Sequence, residues 1–317
     1  MKLTGQPAMP ATGTGRKSSV VGILCILGAA FALSVSDMSV KFLSGGYPLH
    51  EVILIRSVIG ISFVIGVIVV SRTGFRQLQT RQAGAHLIRV GFILVSNVTY
   101  YLGLAILPLA DGVAIAFIGP LAVTALSAVV LREHVGWRRW VAVLVGLLGI
   151  IVMLRPGTGI MQTPALMVAF SAVCYSCAHI MTRRMRDTES AITLGFYVQA
   201  GFIAVSILMG LSVGDGKLVG SENATLDYLF RAWIWPSGND WPFFVATGVA
   251  VATAGMLAAQ AYRLCNAAVV APFEYGAMPL AILWGAVIFR QWPDATAWVG
   301  IALICGAGLF ALATTKH

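Results

Sequence analysis

Apolar runs of about 20 residues, each long enough to cross the hydrocarbon of a bilayer as one helix, recur ten times in this chain. They cover residues 20–43, 48–70, 87–107, 111–131, 137–154, 163–183, 191–211, 243–264, 268–289 and 295–313. Together they fill most of the 317 residues and leave no room for a sizeable soluble domain. Only 10% of the residues are charged, against about 25% in soluble domains. The expectation is an all-α integral membrane protein with ten transmembrane helices.

The net charge of +9 has to be read by position. With the N-terminus inside, the inner set is Lys2, Arg16, Lys17, Arg72, Arg76, Arg81, Arg89, Arg132, Arg138, Arg139, Arg183, Arg184, Arg186, Arg263 and Lys316, against Arg155, Lys217, Arg231 and Arg290 outside. This asymmetry puts both termini in the cytoplasm and makes the basic excess topological. No loop carries a basic stripe with interleaved aromatics, so nucleic acid is excluded as a partner. Residues 1–19, rich in Gly, Ser, Thr and Pro, read as a disordered cytoplasmic tail. The run that follows is too long for the apolar core of a signal peptide and is retained as the first span. The loop 212–242 is placed in the periplasm; its "TLDYLFRAWIW" reads as a membrane-surface anchor in preference to a lid.

Charges inside the runs need partners or a wet cavity. Asp37 lies about six residues before the end of the first run and Arg56 about eight after the start of the second, which puts them level across the short turn "SGGYP". Lys41 and Glu51 are level in the same way. The expectation is a two-rung charge ladder across this hairpin, acting either as a staple or as an outer gate. Glu274 in "APFEYGAMP" lies between two prolines that loosen its helix, and with His179, at a similar depth, it is a candidate for substrate or proton contact. Tyr101, Phe117, Tyr275 and Trp284, along with Tyr100 and Tyr175, could line a cavity for a flat ligand or simply pack. Cys174 and Cys177 form a CxxC on an apolar helix and, with Cys25, Cys265 and Cys305, read as buried inert thiols.

An internal repeat organises these runs. "LPLADGVAIAFIGPLAV" from Leu107 aligns with "LCNAAVVAPFEYGAMPL" from Leu264 at an offset of 157, matching Ala110, Val113, Ala114 and Gly119 to Ala267, Val270, Ala271 and Gly276. With one residue inserted, Arg132, Trp140 and Val141 meet Arg290, Trp298 and Val299. Five spans separate the copies, so two five-helix repeats, residues 20–160 and 161–313, stand inverted in the membrane. Such a repeat is the signature of a secondary transporter working by alternating access.

These stretches, with "PLADGVAIAFIGPLAVTALSAVVLREHVGWRRW" and "AYRLCNAAVVAPFEY" as the most specific, resemble the drug/metabolite transporter superfamily in its EamA-type branch. The likeness runs from about residue 20 to 312. It implies transport of a small metabolite across the bacterial inner membrane without ATP hydrolysis. A proton or another ion could drive it, and two copies could pair. In that family the fourth and ninth spans often close on an acid; Glu133 fits, whereas Gln291 stands at the second place. "YPLHEVILIRS" and "VVAPFEY" look most like the branch that includes riboflavin importers and S-adenosylmethionine transporters, which implies a flat heterocyclic substrate. Riboflavin uptake ranks first; export of an amino acid or related metabolite, or S-adenosylmethionine transport, is the alternative. An enzyme would need a nucleophile and base at matched depth, and the spans offer only His179 with scattered serines. "GDGKL" lacks the first glycine and the hydroxyl of a phosphate loop, and neither HExxH, GxSxG nor a metal-ligand set occurs, so no cofactor is expected.

Overall fold

The computed structural model describes residues 14–72, 74–130, 136–154, 162–185, 188–217, 224–264 and 271–313. Among them every regular element is helical: α1 (Thr14–Leu43), α2 (Leu49–Ser71), α3 (Ala83–Ile106), α4 (Leu109–Ala116), α5 (Gly119–Val130), α6 (Trp137–Leu154), α7 (Gln162–Met185), α8 (Ala191–Val213), α9 (Ala224–Phe230), α10 (Trp241–Leu264), α11 (Ala277–Ile288) and α12 (Ala295–Ala313). Short 3-10 turns at Phe75–Leu78 and Ala271–Gly276 precede α3 and α11.

Eight stretches among these residues are long and apolar enough to cross a membrane: Val20–Leu43, Leu49–Ser71, Ala83–Ile106, Leu109–Val130, Trp137–Leu154, Thr163–Thr182, Ile192–Val213 and Trp241–Ala258. Two further apolar helices, Phe273–Ile288 and Ala295–Ala311, are shorter. The run expected at 268–289 begins on residues outside the described set. Glu133, Cys265 and residues 1–13 of the expected tail also lie outside it. α1 starts at Thr14, inside the stretch read as a disordered tail, since a formed helix extends at one hydrogen bond per residue.

Two runs are not continuous helices. The 109–130 stretch breaks in a turn at Phe117–Ile118 and restarts at Gly119, because Pro120 supplies no N–H and disfavours the helical region for the residue before it. The 271–288 stretch opens as a 3-10 turn over "APFEYG". At the offset of 157, the break at 117–118 corresponds to 274–275.

Helix pairs form through close backbone approach. α1 lies along α10, α7 along α3, α6 along α12, and α2 between α8 and α10, while α4 packs on α11. A Cβ at Gly149 of α6 would come 2.7 Å from Ile304 and 3.2 Å from the Gly300 carbonyl oxygen of α12. One at Gly103 of α3 would come 2.6 Å from the Pro164 carbonyl oxygen of α7. Small residues at such crossings are what lipid-embedded helices use, since burial of apolar surface does not drive them together.

The densest core gathers at the end carrying the α1–α2 turn. Leu43, Leu49, Val52, Leu104, Leu107, Leu109, Tyr228 and Phe244 are almost completely buried there.

Candidate functional site

At the end carrying the α1–α2 turn, the charged side chains find main-chain partners. Lys41 Nζ donates to the carbonyls of Leu104 at 2.7 Å and Leu107 at 2.5 Å, the orphan acceptors at the negative end of α3. The Phe289 ring lies 5.5 Å from the same ammonium, and Asp111, in the first turn of α4, is the acid whose charge acts on it. Glu51 accepts from the Ile234 N–H at 3.2 Å. The expected Lys41–Glu51 rung is therefore not formed: each side chain meets an unpaired backbone group first.

The loop read as a surface anchor is bonded across this hairpin. Ser237 N–H donates to the Tyr47 hydroxyl at 2.9 Å, which donates to Asp240 at 2.7 Å. Arg231 donates to the Ser44 carbonyl at 3.2 Å and pairs with Asp227 at 3.0 Å. The His50 ring stacks on Trp233 with centroids 5.8 Å apart. Hydroxyls of Ser237 and Tyr47 hold the Asp240 carboxyl below the usual carboxylate range. The segment 224–240 is thus a strap over the α1–α2 turn, while its exposed Leu226, Trp233, Ile234 and Trp235 still fit an interfacial anchor.

One layer deeper, Asp37 accepts from the Tyr100 hydroxyl at 2.9 Å and the Tyr101 hydroxyl at 3.3 Å. Arg56 donates to the same Tyr101 hydroxyl at 3.0 Å and to Asn97 at 2.8 Å, with its guanidinium 5.4 Å from the Phe202 ring. The ion pairs among the described residues are His86–Glu189, Lys217–Asp215 and Arg231–Asp227. The expected direct Asp37–Arg56 rung is accordingly replaced by a bridge through one shared hydroxyl. Depth counting brought the two residues level but could not see Tyr101 between them. Arg56 Nε is buried with no hydrogen-bond partner among the described residues.

Towards the opposite end, α7 presents two exposed stripes. At about 100° per residue, Leu166, Phe170 and Val173 share one face, and Tyr175 and His179 share the face opposite. Tyr175 is nonetheless 50% exposed, and His179, whose ring meets it edge-on at 4.3 Å, is exposed too. On α1 the stripe Leu33–Asp37–Lys41 behaves similarly: Lys41 is buried against α3 while Leu33 is 48% exposed. Leu33 of α1 and Tyr175 and His179 of α7 are thus exposed on the faces that also carry polar side chains. Glu274 acts electrostatically on Tyr175 and Tyr275. Phe117 and Tyr275, one from each broken segment, stack at 4.8 Å. Trp284 donates to Ser34 at 3.2 Å.

Three residues of this arrangement escaped the sequence reading. Arg89, counted there as an inner-loop charge, lies inside α3 because the helix begins at Ala83; it is buried and donates to Thr182 at 2.7 Å and to the Leu194 carbonyl at 3.2 Å. Asp111 follows Pro108 and reads like an ordinary acid at a helix start. Asn97 carries no charge to draw notice. Cys25, Cys174, Cys177 and Cys305 are free thiols, and no three His, Cys, Asp or Glu side chains gather among the described residues.

Residues 20–155 match the EamA-like transporter family. The chain is 28% identical to the riboflavin transporter of Vibrio cholerae over 87% of both chains. It is 23% identical to the S-adenosylmethionine uptake transporter of Rickettsia prowazekii over 95% of both. It is 27% identical to a pseudopaline exporter of Pseudomonas aeruginosa over 93% of this chain and 96% of that one.

Proposed function

We propose that this chain, whose residues 20–155 match the EamA-like transporter family, is a multi-pass transporter of ten transmembrane helices in two inverted five-helix repeats, both termini cytoplasmic, importing riboflavin across the bacterial inner membrane by alternating access. Several pairings support the repeat. If α1 and α7 are equivalent, then α10 and α3 are as well, and the α1–α10 pair has its counterpart in α7–α3. The α2–α8 and α6–α12 pairs are each their own counterpart. The two broken segments fall one repeat apart. With the N-terminus inside, the sealed end faces the periplasm and the cleft faces the cytoplasm, an inward-open arrangement.

The observation that carries the reading is the exposure of Tyr175 and His179 on the inner face of α7 in a bundle sealed at its other end. A cleft floored by the Phe117–Tyr275 stack and walled by Tyr175 and Trp284 offers faces for a planar heterocycle, with Glu274 and His179 to meet its polar edge. The similarity to a riboflavin transporter makes that vitamin the first choice. The test is counterflow: liposomes holding the purified protein and unlabelled riboflavin should accumulate labelled riboflavin from outside transiently and saturably. Absence of counterflow from active vesicles would remove riboflavin. The second reading, export of an amino-acid-derived metabolite, is favoured by the pseudopaline exporter's similarity; competition by such compounds in place of riboflavin would establish it.

A further inference from the structure

Taking the alternating-access reading as given, we propose that Asp37 binds the proton that drives uptake, and that Arg56 reads its protonation through the Tyr101 hydroxyl they share. Asp37 lies on the same face of α1 as exposed Leu33 and is itself half-buried. It has no cation within ion-pair distance among the described residues. Its carboxylate is held only by hydroxyls, those of Tyr100 and Tyr101, which can serve either a charged or a neutral acid by rotating a proton.

The surroundings limit what else could act here. On α1 itself, Lys41 lies one turn away, but its ammonium is turned to the α3 carbonyls and Asp111. On α2 stands Arg56, and on α3 the two tyrosines; α9 contributes Tyr228, buried with its hydroxyl unpaired among the described residues and electrostatically linked to Tyr101 and Arg56. α10 and α11 present Thr247 and Trp284 to the neighbouring Ser36 and Ser34. The cluster thus couples one acid to one base by way of one hydroxyl.

The step balances simply. From the periplasmic side a proton adds to a carboxylate oxygen of Asp37 and forms an O–H bond. Arg56 then loses a compensating charge while its Nε remains unpaired and buried. A buried cation left this way favours releasing Tyr101 or Asn97 and turning its planar donor fork to an electron-rich group of the substrate, such as a ring carbonyl. Once the cleft opens inward, the same O–H bond breaks to water, the carboxylate re-forms, and the hold on the substrate weakens. The proton gradient is the only source of drive required.

Proteoliposomes test this. At one proton per substrate, an imposed gradient of one pH unit, acid outside, should drive about tenfold accumulation by the wild type. Asp37→Asn should lose that accumulation, while riboflavin exchange persists at a reduced rate and no longer varies with pH. Asp37→Glu, which keeps the acid, should retain gradient-driven uptake. Accumulation by Asp37→Asn, or its loss in a monodisperse Asp37→Glu, would overturn the proposal. A measurement independent of substrate separates this from failure of the riboflavin assignment. In the infrared difference between wild type and Asp37→Asn, the band of one protonated carboxyl should grow as pH falls; a pH-independent difference would overturn the proposal whatever the substrate.

Discussion

Lys41 acts as a cap. Its ammonium satisfies two carbonyls at the C-terminus of α3 at a depth where water cannot, and an unsatisfied buried polar group costs about 1–3 kcal/mol. Lys41→Met, which keeps the length and removes the donors, should lower the thermal unfolding temperature of detergent-solubilised protein and speed proteolysis at the α3–α4 corner. Stability equal to wild type would refute the capping role. The sequence announces Asp37, Lys41, Glu51 and Arg56 as costly charges, and all four turn out to be engaged. What it hides is the partners. Three of them are main-chain groups more than sixty residues away, and a carbonyl or an amide has no letter of its own in the sequence; the side-chain partners are no plainer. Tyr101 reads as one aromatic among many. Arg89 shows the complementary difficulty: it falls inside the expected 87–107 run but close enough to its end to be counted with the loop charges, and position alone does not say whether such a cation reaches the interface or is buried.

Among the elements, the 224–240 strap joins the α8–α10 connection to the α1–α2 turn through Tyr47, Glu51 and Arg231. If the periplasmic mouth must open during a cycle, these bonds must break. In a background without native cysteines, Ser44→Cys with Arg231→Cys, joined by a short bifunctional thiol reagent, should arrest riboflavin transport, whereas either single variant treated alike should not. Undiminished transport after complete cross-linking would show that the strap does not move. Its tryptophans and acids were readable, but they fit a membrane surface equally well. Bonding to Tyr47 and Ser44 depends on how the turn "SGGYP" aims its groups, which hydropathy does not encode. The breaks at 117–118 and 271–276 were half legible: the prolines of the second segment signalled it, while Pro120 passed unremarked inside a long apolar run.

For the molecule as a whole, length and apolarity were enough to indicate a membrane bundle, and the offset of 157 was enough to suggest paired halves. The crosswise pairing of α1 with α10 and α7 with α3 was not accessible, because helix contacts in lipid rest on small residues such as Gly103 and Gly149 that recur throughout the chain. The proposed orientation can be checked directly. His179→Cys should react with a membrane-impermeant thiol reagent in inside-out vesicles and be protected by riboflavin, whereas Trp235→Cys should react in right-side-out ones. The reverse sidedness would invert the topology.

The stacked rings of Phe117 and Tyr275 have a mechanical consequence. Each belongs to a segment broken at that point, and about 20 Å of helix, at about 1.5 Å per residue, separates Tyr275 from the far end of α11. The pair is placed like the fulcrum of a seesaw, where a small tilt at the rings becomes a large displacement at the rims. A beam pivoted at its middle cannot lift both ends at once. If the two halves rock as proposed, the same contact would forbid a continuous pore and keep the membrane tight to ions throughout the cycle.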